Sequence, residues 1–443
     1  MKKTLIAALA LTTCMNAIAQ DTNAQPTYRR SSLYTIMIPS TKLTGDAKEI
    51  VTQTFDTLAI PDKYNDHNLE IRTLDLNAIN VTQEEIDAIA KAGNAKKSGF
   101  GKFMKAAKNV AAGKTNSTDD ERVAKILKFF KDNHIANKLI GKWYNEKTSP
   151  NADGTFFDYS LIADRGLQSA SEEEKNMAKL TVTGNSAIMD AAADELIPNT
   201  FVMVTYYGYL SADEIIDYIS AAAGGVGGGY AAIGTQALKA VLKGYFVTTW
   251  SYLFQLEWDE AARKDFESKY YSAKDTKEFD ESDAYKLKYI GKTMDYAPAT
   301  MQFTTKDDAS TRLISRATVR ATDGSIAKLQ KKYDVFKTLS AVHVNGDEIY
   351  AYIGKKEGLK KGDKFDVLEL SIDQKTGKTI YNKVASIKVA KGKIWDNRAG
   401  AGEKIEGAAE SKEDGDIDQA AKYTVFDGNA GKIMEGMFIR QTK

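Results

Sequence analysis

Three histidines, His67, His134 and His343, are the side chains of this 443-residue sequence best suited to proton transfer or metal ligation. No HExxH motif accompanies them, and the only cysteine is Cys14, so a zinc site would need scattered ligands. His67 lies in Asn65-Asp66-His67-Asn68, where turn chemistry accounts for all four residues. His134 follows a predicted helix end, where it suits a cap or a dipole partner. There is no GxSxG, hence no hydrolase nucleophile elbow. Gly224-Gly225-Val226-Gly227-Gly228-Gly229 imitates a phosphate loop, but Tyr230 stands where the third glycine of GxGxxG belongs, and no Gly-Lys-Ser/Thr ending follows. A hairpin turn is expected there. Asp414-x-Asp416-x-Asp418 imitates a calcium loop, with Gln419 in place of its glycine and Val425 in place of its closing glutamate. A solvated acidic loop is expected. The sequence therefore predicts neither a bound metal nor a cofactor.

Two patterns point elsewhere. The chain's 60 acidic residues leave room for a carboxylate pair, and Trp250, Tyr252 and Trp258 share one side of a predicted strand. Such a stripe either stacks sugars or packs a core, and with paired carboxylates it would make a glycan-active hydrolase. The second pattern is basic. Between Asp87 and Asp119 stand Lys91, Lys96, Lys97, Lys102, Lys105, Lys108 and Lys114 without one acid, beside Phe100, Phe103, Met104 and Ala107 at helical spacing. A basic amphipathic helix of this kind lies on an anionic membrane or polymer, and otherwise is a packed helix with a solvated lysine face. Lys97, Lys102, Lys105 and Lys108 are the candidate binding residues. Arg312, Arg316 and Arg320 form a further stripe at i, i+4, i+8, which internal ion pairing explains more simply than an external anion.

The elements that would position these residues fall into two textures. Leu33–Ile38 reads as a buried strand, Asp46–Leu58 as a helix and Leu69–Leu76 as a second strand, a β-α-β opening. Helices are expected from Thr82 and, through the capping box Thr118-x-x-Glu121, over Val123, Ile126, Leu127 and Phe130. Thr200–Tyr209 and Tyr245–Trp258 are strong strands; the second alternates Phe246, Trp250, Tyr252, Phe254, Leu256 and Trp258 against Thr249, Ser251, Gln255 and Glu257, predicting one buried and one wet face. A helical hairpin over 211–243 is inserted between them, opened by Ser211-x-x-Glu214. Ser310–Tyr333 reads as a long helix with a break at Asp323-Gly324. From Val335 onward short β runs alternate with Asn345-Gly346-Asp347, Lys361-Gly362-Asp363 and Thr376-Gly377-Lys378, the texture of a small barrel. The expected fold class is α+β: an α/β layered domain over 26–333 with a long helical region, then a small all-β barrel-like domain over 334–443.

Residues 1–19 read as a signal peptide: Lys2 and Lys3, the apolar run Leu5–Leu11, then Ala17-Ile18-Ala19 before Gln20. Leu11-Thr12-Thr13-Cys14 offers lipidation of Cys14 as the alternative. Cleavage leaves 59 basic against 60 acidic residues, a net charge of −1, which gives no general attraction to nucleic acid. No later run of 18 apolar residues predicts a transmembrane span.

Arg30-Ser31-Ser32-Leu33-Tyr34, Pro61-Asp62-Lys63-Tyr64-Asn65-Asp66-His67-Asn68 and Ile394-Trp395-Asp396-Asn397-Arg398 resemble segments of a family of exported Bacteroidetes proteins. Ile353-Gly354, Gly358-Leu359-Lys360-Lys361-Gly362-Asp363-Lys364-Phe365 and Thr376-Gly377 are similar to the C-terminal domain of flagellar assembly protein T, a likeness confined to the last quarter of the chain. The first resemblance implies export and carries no catalytic residue; the second speaks to fold. The function expected is that of an exported protein of the periplasm or outer membrane. It would be a non-catalytic binding or assembly module for an envelope protein, polysaccharide or anionic membrane surface.

Overall fold

The computed structural model describes residues 30–94, 119–169, 194–223, 244–299, 307–372, 379–403, 417–418, 420–434 and 436–442. The expected signal peptide, the Thr118 cap, Gly224–Gly229 and the second arm of the hairpin lie outside them.

The α+β class is as expected. Strands β1 (Ser32–Pro39), β2 (Asn65–Asp66), β3 (Thr200–Ser211), β4 (Tyr245–Leu256) and β5 (Leu287–Pro298) form one sheet in the order β2-β1-β3-β4-β5. The first three are parallel and the last two antiparallel. Helix α1 (Gly45–Asp56) makes the crossover from β1 to β2, burying Ala47, Val51 and Phe55. The second strand, Asn65–Asp66, lies ahead of the expected Leu69–Leu76, which forms no strand of its own. Past Asp66 the chain still runs beside β1, but only through one bridge, Met37 to Thr73, and Asp75 then caps a 3-10 turn. Leu69 and Ile71 pack against the core, but Thr73 is exposed and Leu74 is buried in its place, so the expected alternation ends there.

One face of the sheet packs against α3 (Asp119–Asp132) and α4 (Ile135–Trp143), with α7 (Glu260–Lys269) and α8 (Lys277–Asp280) contributing Phe266 and Phe279. Ahead of them stands α2 (Gln83–Asn94), opened by a capping box in which the Thr82 N–H donates to Glu85 and the Glu85 N–H to Thr82. Helix α5 (Ser160–Ser169) follows α4, and α6 (Ala212–Ala223) follows β3 with the expected Ser211–Glu214 box.

The other face is covered by α9 (Asp307–Lys332), a 26-residue helix that is not broken at Gly324. A side chain there would overlap the Asp295 carboxylate, which Lys328 holds at 2.7 Å, so the glycine serves a close approach of helix to strand. This helix overturns the wet face expected of β4. Thr249 and Ser251 are fully buried; the Thr249 hydroxyl lies 2.8 Å from Ser325 Oγ, Ser251 Oγ lies 2.9 Å from Thr205 Oγ1, and Tyr207 lies 2.7 Å from Thr322. A polar face can be buried when the covering helix supplies its hydrogen bonds.

In the C-terminal part, strands β6 (Ser340–Ala341), β7 (His343–Asn345), β8 (Glu348–Ala351), β9 (Lys364–Ile372), β10 (Thr379–Val389), β13 (Thr424–Asp427) and β14 (Phe438–Gln441) are ordered β6-β14-β9-β10-β13-β8-β7. The two end strands are consecutive in the chain, separated by Val342, so a kinked segment nearly closes the barrel. β11 (Ile394–Trp395) and β12 (Ile417–Asp418) form a small parallel pair beside it. Gly346, at positive φ, makes the β7–β8 turn; Lys361-Gly362-Asp363 leads into β9 rather than joining a hairpin. Phe336 belongs to the α/β core, stacked on Tyr64 at 5.3 Å and edge-on to Phe201 at 4.9 Å.

Candidate functional site

The loop carrying Lys63, the helix α9 and the barrel residues 354–357 and Asn397 meet around one polar seam. Lys63, in the loop before β2, donates to Gln330 Oε1 of α9 at 2.9 Å and stands 4.0 Å from Glu357 of the barrel's first 3-10 turn. Glu357 accepts from the Gly354 N–H at 2.7 Å and from Asn397 Nδ2 at 2.8 Å, while Asn397 Oδ1 accepts from the Lys356 N–H at 2.8 Å. Lys356 Nζ lies 4.0 Å from Asp323 of α9. Burial lowers the Lys63 pKa. It pushes the Asp323 carboxyl up to about 6, the neighbouring Lys356 and Lys63 opposing and Glu357 adding to the rise. Lys63, Gln330, Thr338, Ser340, Glu357 and Gln441 line a cavity of about 30 Å³, room for a water, which suits the 4.0 Å gap between Lys63 and Glu357.

Asp323 titrates in a window that can be read out. Between about pH 4 and pH 6 the folded chain holds a proton that the unfolded chain releases, so folding stability falls as pH rises through it. Asp323→Asn removes that term. The stability difference between variant and parent should shift in favour of the variant by about 1 kcal/mol per pH unit across the window and level off above it. Urea melts at several pH values measure this; a constant difference would show that Asp323 is ionised throughout. Gly354 is the seam's steric weak point. A methyl group there would overlap the Trp395 carbonyl oxygen and crowd Asn397. Gly354→Ala should cost about 2 kcal/mol by denaturant melts, and an unchanged midpoint would show that β11 can yield.

A second polar centre surrounds His67, at the edge of the sheet. The ring is fully buried, stacked 4.7 Å from Trp143. Arg165 of α5 donates from Nη1 to His67 Nδ1 at 2.8 Å, so the ring proton sits on Nε2 and goes to the Leu139 carbonyl at 2.9 Å. Burial, then the Arg165 charge, hold its pKa well below the ordinary value. His67 is thus a neutral structural residue. His134 holds left-handed backbone between α3 and α4, and His343 packs on Tyr350 at 5.3 Å.

The aromatic stripe is core: Trp250 and Trp258 are 8% exposed and Tyr252 1%. The Tyr252 hydroxyl donates to Asp119 at 3.0 Å, and Asp119 is ion-paired with Lys292, so no sugar face is offered there. A carboxylate pair does exist. Glu146, after α4, is hydrogen-bonded to Asp280 of α8, and burial first, then the Asp280 charge, raise it to about 7. The arginine stripe turns inward: Arg312 pairs with Glu403, Arg316 donates to the Glu403 carbonyl at 3.3 Å and Arg320 to the Ala399 carbonyl at 2.8 Å. Lys97, Lys102, Lys105 and Lys108 lie outside the described residues, as do Asp414 and Asp416; Lys91 is exposed near the end of α2. Among the described residues no cluster of three metal-ligating side chains occurs, and no helix is long and apolar enough to cross a membrane.

No protein-family model matches the chain, and neither does any curated protein. The seam and the contacts of the His67 centre are absent from the motif-based sequence reading because all but the Gly354–Glu357 cap join residues 33 to 294 positions apart. One signal was available: Gly354-x-x-Glu357 has the spacing of a backbone cap.

Proposed function

We propose that this is an exported cell-envelope protein that acts as a non-catalytic binding or assembly module. The observation that carries the reading is the seam. Lys63, Asp323, Lys356, Glu357 and Asn397 are engaged with one another and fasten the barrel to the α/β layer. Groups so engaged fix a scaffold and leave its surfaces to do the recognition. The predicted signal peptide and the resemblance to exported Bacteroidetes proteins support the compartment, and the likeness to the flagellar assembly protein T domain supports an assembly role.

A glycan-active hydrolase is the second reading; the Glu146–Asp280 carboxyls, in direct hydrogen bond, stand closer than the roughly 5–9.5 Å that a glycosidase pair spans, which weighs against it. Incubating the full chain with peptidoglycan and lipopolysaccharide separates the two. Retention on a polymer without release of reducing ends fits the module. Release that Glu146→Gln and Asp280→Asn each abolish, in chains with parental melts, would overturn it in favour of the enzyme.

A further inference from the structure

The α/β sheet ends at β5, a strand of 12 residues that, among the described residues, has a ladder partner on one side only. Such an edge offers a row of main-chain donors and acceptors to any extended chain, a second copy of this protein included. The opposite end of the sheet is β2, only two residues long, and so short an edge gives little to pair with.

The outward groups of β5 follow from its register. The Ala299 N–H donates to the Tyr245 carbonyl on the β4 side, so with a period of two the backbones of Lys292, Met294, Tyr296 and Pro298 face away from β4. Side chains occupy most of that row. The Lys292 N–H donates to the Tyr333 hydroxyl at 3.0 Å, and the Lys292 carbonyl accepts from Lys332 Nζ at 3.0 Å. The Met294 carbonyl accepts from Lys328 Nζ at 3.0 Å. The Tyr296 N–H donates to the Asp295 carboxylate at 2.9 Å, the same group that holds Lys328 at 2.7 Å. Pro298 has no N–H to offer. At the other end of the strand Leu253 pairs with Gly291 and Phe254 with Tyr289, so Ile290 is the extra residue of a bulge, which bends an edge away from pairing. A side chain at Gly291 would overlap the Tyr333 ring, so that ring lies directly on the strand.

Lys328, Lys332 and Tyr333, from the last turns of α9 and the residue after it, therefore stand where a neighbouring strand would lie. Solvation does not require this. Both lysines are exposed, so water would serve their ammonium groups, and it would serve the strand's carbonyls equally. What the contacts add is the exclusion of another chain. We propose that the end of α9 guards the edge of β5 against strand addition by a second copy of the chain. Antiparallel pairing of β5 with itself about a two-fold axis would use the same edge of both copies, and the guard takes both main-chain bonds at Lys292 out of that pairing. The proposal goes beyond the module reading and does not rest on it.

The experiment compares the full chain with Lys332→Ala/Tyr333→Ala, Lys328 being kept because it also holds Asp295. Sedimentation over a range of concentrations reads self-association, and hydrogen exchange of the peptide covering 287–298 reads the edge. The opened chain should associate about twentyfold more tightly than the parent, two main-chain bonds each being worth about fivefold. Exchange in β5 should slow with concentration in the opened chain alone. Adding Met294→Pro, which removes an outward N–H, should return the opened chain to parental sedimentation. Where the double alanine chain does not fold, Lys332→Ala/Tyr333→Phe keeps the ring and removes the hydroxyl, and should associate in the same direction to a smaller extent. A folded opened chain that sediments as the parent does would overturn the proposal. So would association that leaves β5 exchange unchanged, or a parent chain that already pairs through β5.

Discussion

A chain carrying Trp143→Ala should unfold about 4 kcal/mol more easily than the parent. Three observations set the size. The indole is fully buried beneath α5 and against the sheet, so the truncation leaves a cavity that rigid neighbours fill only in part. Its Nε1–H donates to Thr200 Oγ1 at 2.7 Å; alanine removes that bond, and Thr200, itself fully buried, keeps only a 3.4 Å contact to the Leu196 carbonyl. The ring also carries His67 on its face and Arg165 above it, so the loss reaches the strand end at Asp66. Trp143→Phe separates these effects: it keeps most of the volume and the stacking surface but not the donor, and should cost about half as much. Denaturant melts of the two variants give the ordering. Equal losses would show that the hydrogen bond, not the packing, anchors α4; a loss below about 1 kcal/mol for alanine would show that the site collapses.

What was legible in the sequence follows from which signals are local. Val123, Ile126, Leu127 and Phe130 repeat at helical spacing because they share one face of α3, and nothing distant has to be known to see it. The barrel was legible through its turns, since Gly346 and Gly362 sit at positive φ where other residues are strained. Binary pattern failed where a neighbour changed its meaning. Thr249 and Ser251 looked solvent-facing because they are polar, yet α9, more than fifty residues later, brings Ser325 and Thr322 down on that face. Asp323-Gly324 looked like a break, and is instead a glycine accommodating Asp295 of β5. The charged stretch Lys264–Asp283 hid Phe266 and Phe279, two of the largest buried side chains, because two aromatics suffice to anchor two short amphipathic helices.

The binding prediction with the largest expected effect concerns the lysine run. Changing Lys102, Lys105 and Lys108 together to glutamine should weaken attachment to an anionic surface by about two orders of magnitude at low salt. Each lysine near such a surface contributes on the order of 1 kcal/mol, and the attraction fades beyond a Debye length of about 10 Å at 0.1 M salt. Near 1 M salt, where that length is about 3 Å, parent and variant should bind alike and weakly. The frame on either side makes this a clean test of charge. The chain leaves at the end of α2 and re-enters at the start of α3, two helices that pack against each other and are anchored by Val123, Ile126 and Phe130. Of the three acids that open α3, Asp119 is paired with Lys292 and Glu121 with Lys125, and acids in a first turn suit the helix dipole without a lysine partner. The three lysines are therefore not needed to neutralise the helix start, and the triple change should move the melting midpoint by less than about 0.5 kcal/mol equivalent. Co-sedimentation with phosphatidylglycerol vesicles, at low and high salt, reads the binding. A melt shifted by several kcal/mol would make these lysines part of the fold. A parent chain that never sediments, or a variant that sediments as the parent does, would remove the lysine run from the binding surface and leave recognition to other faces of the scaffold.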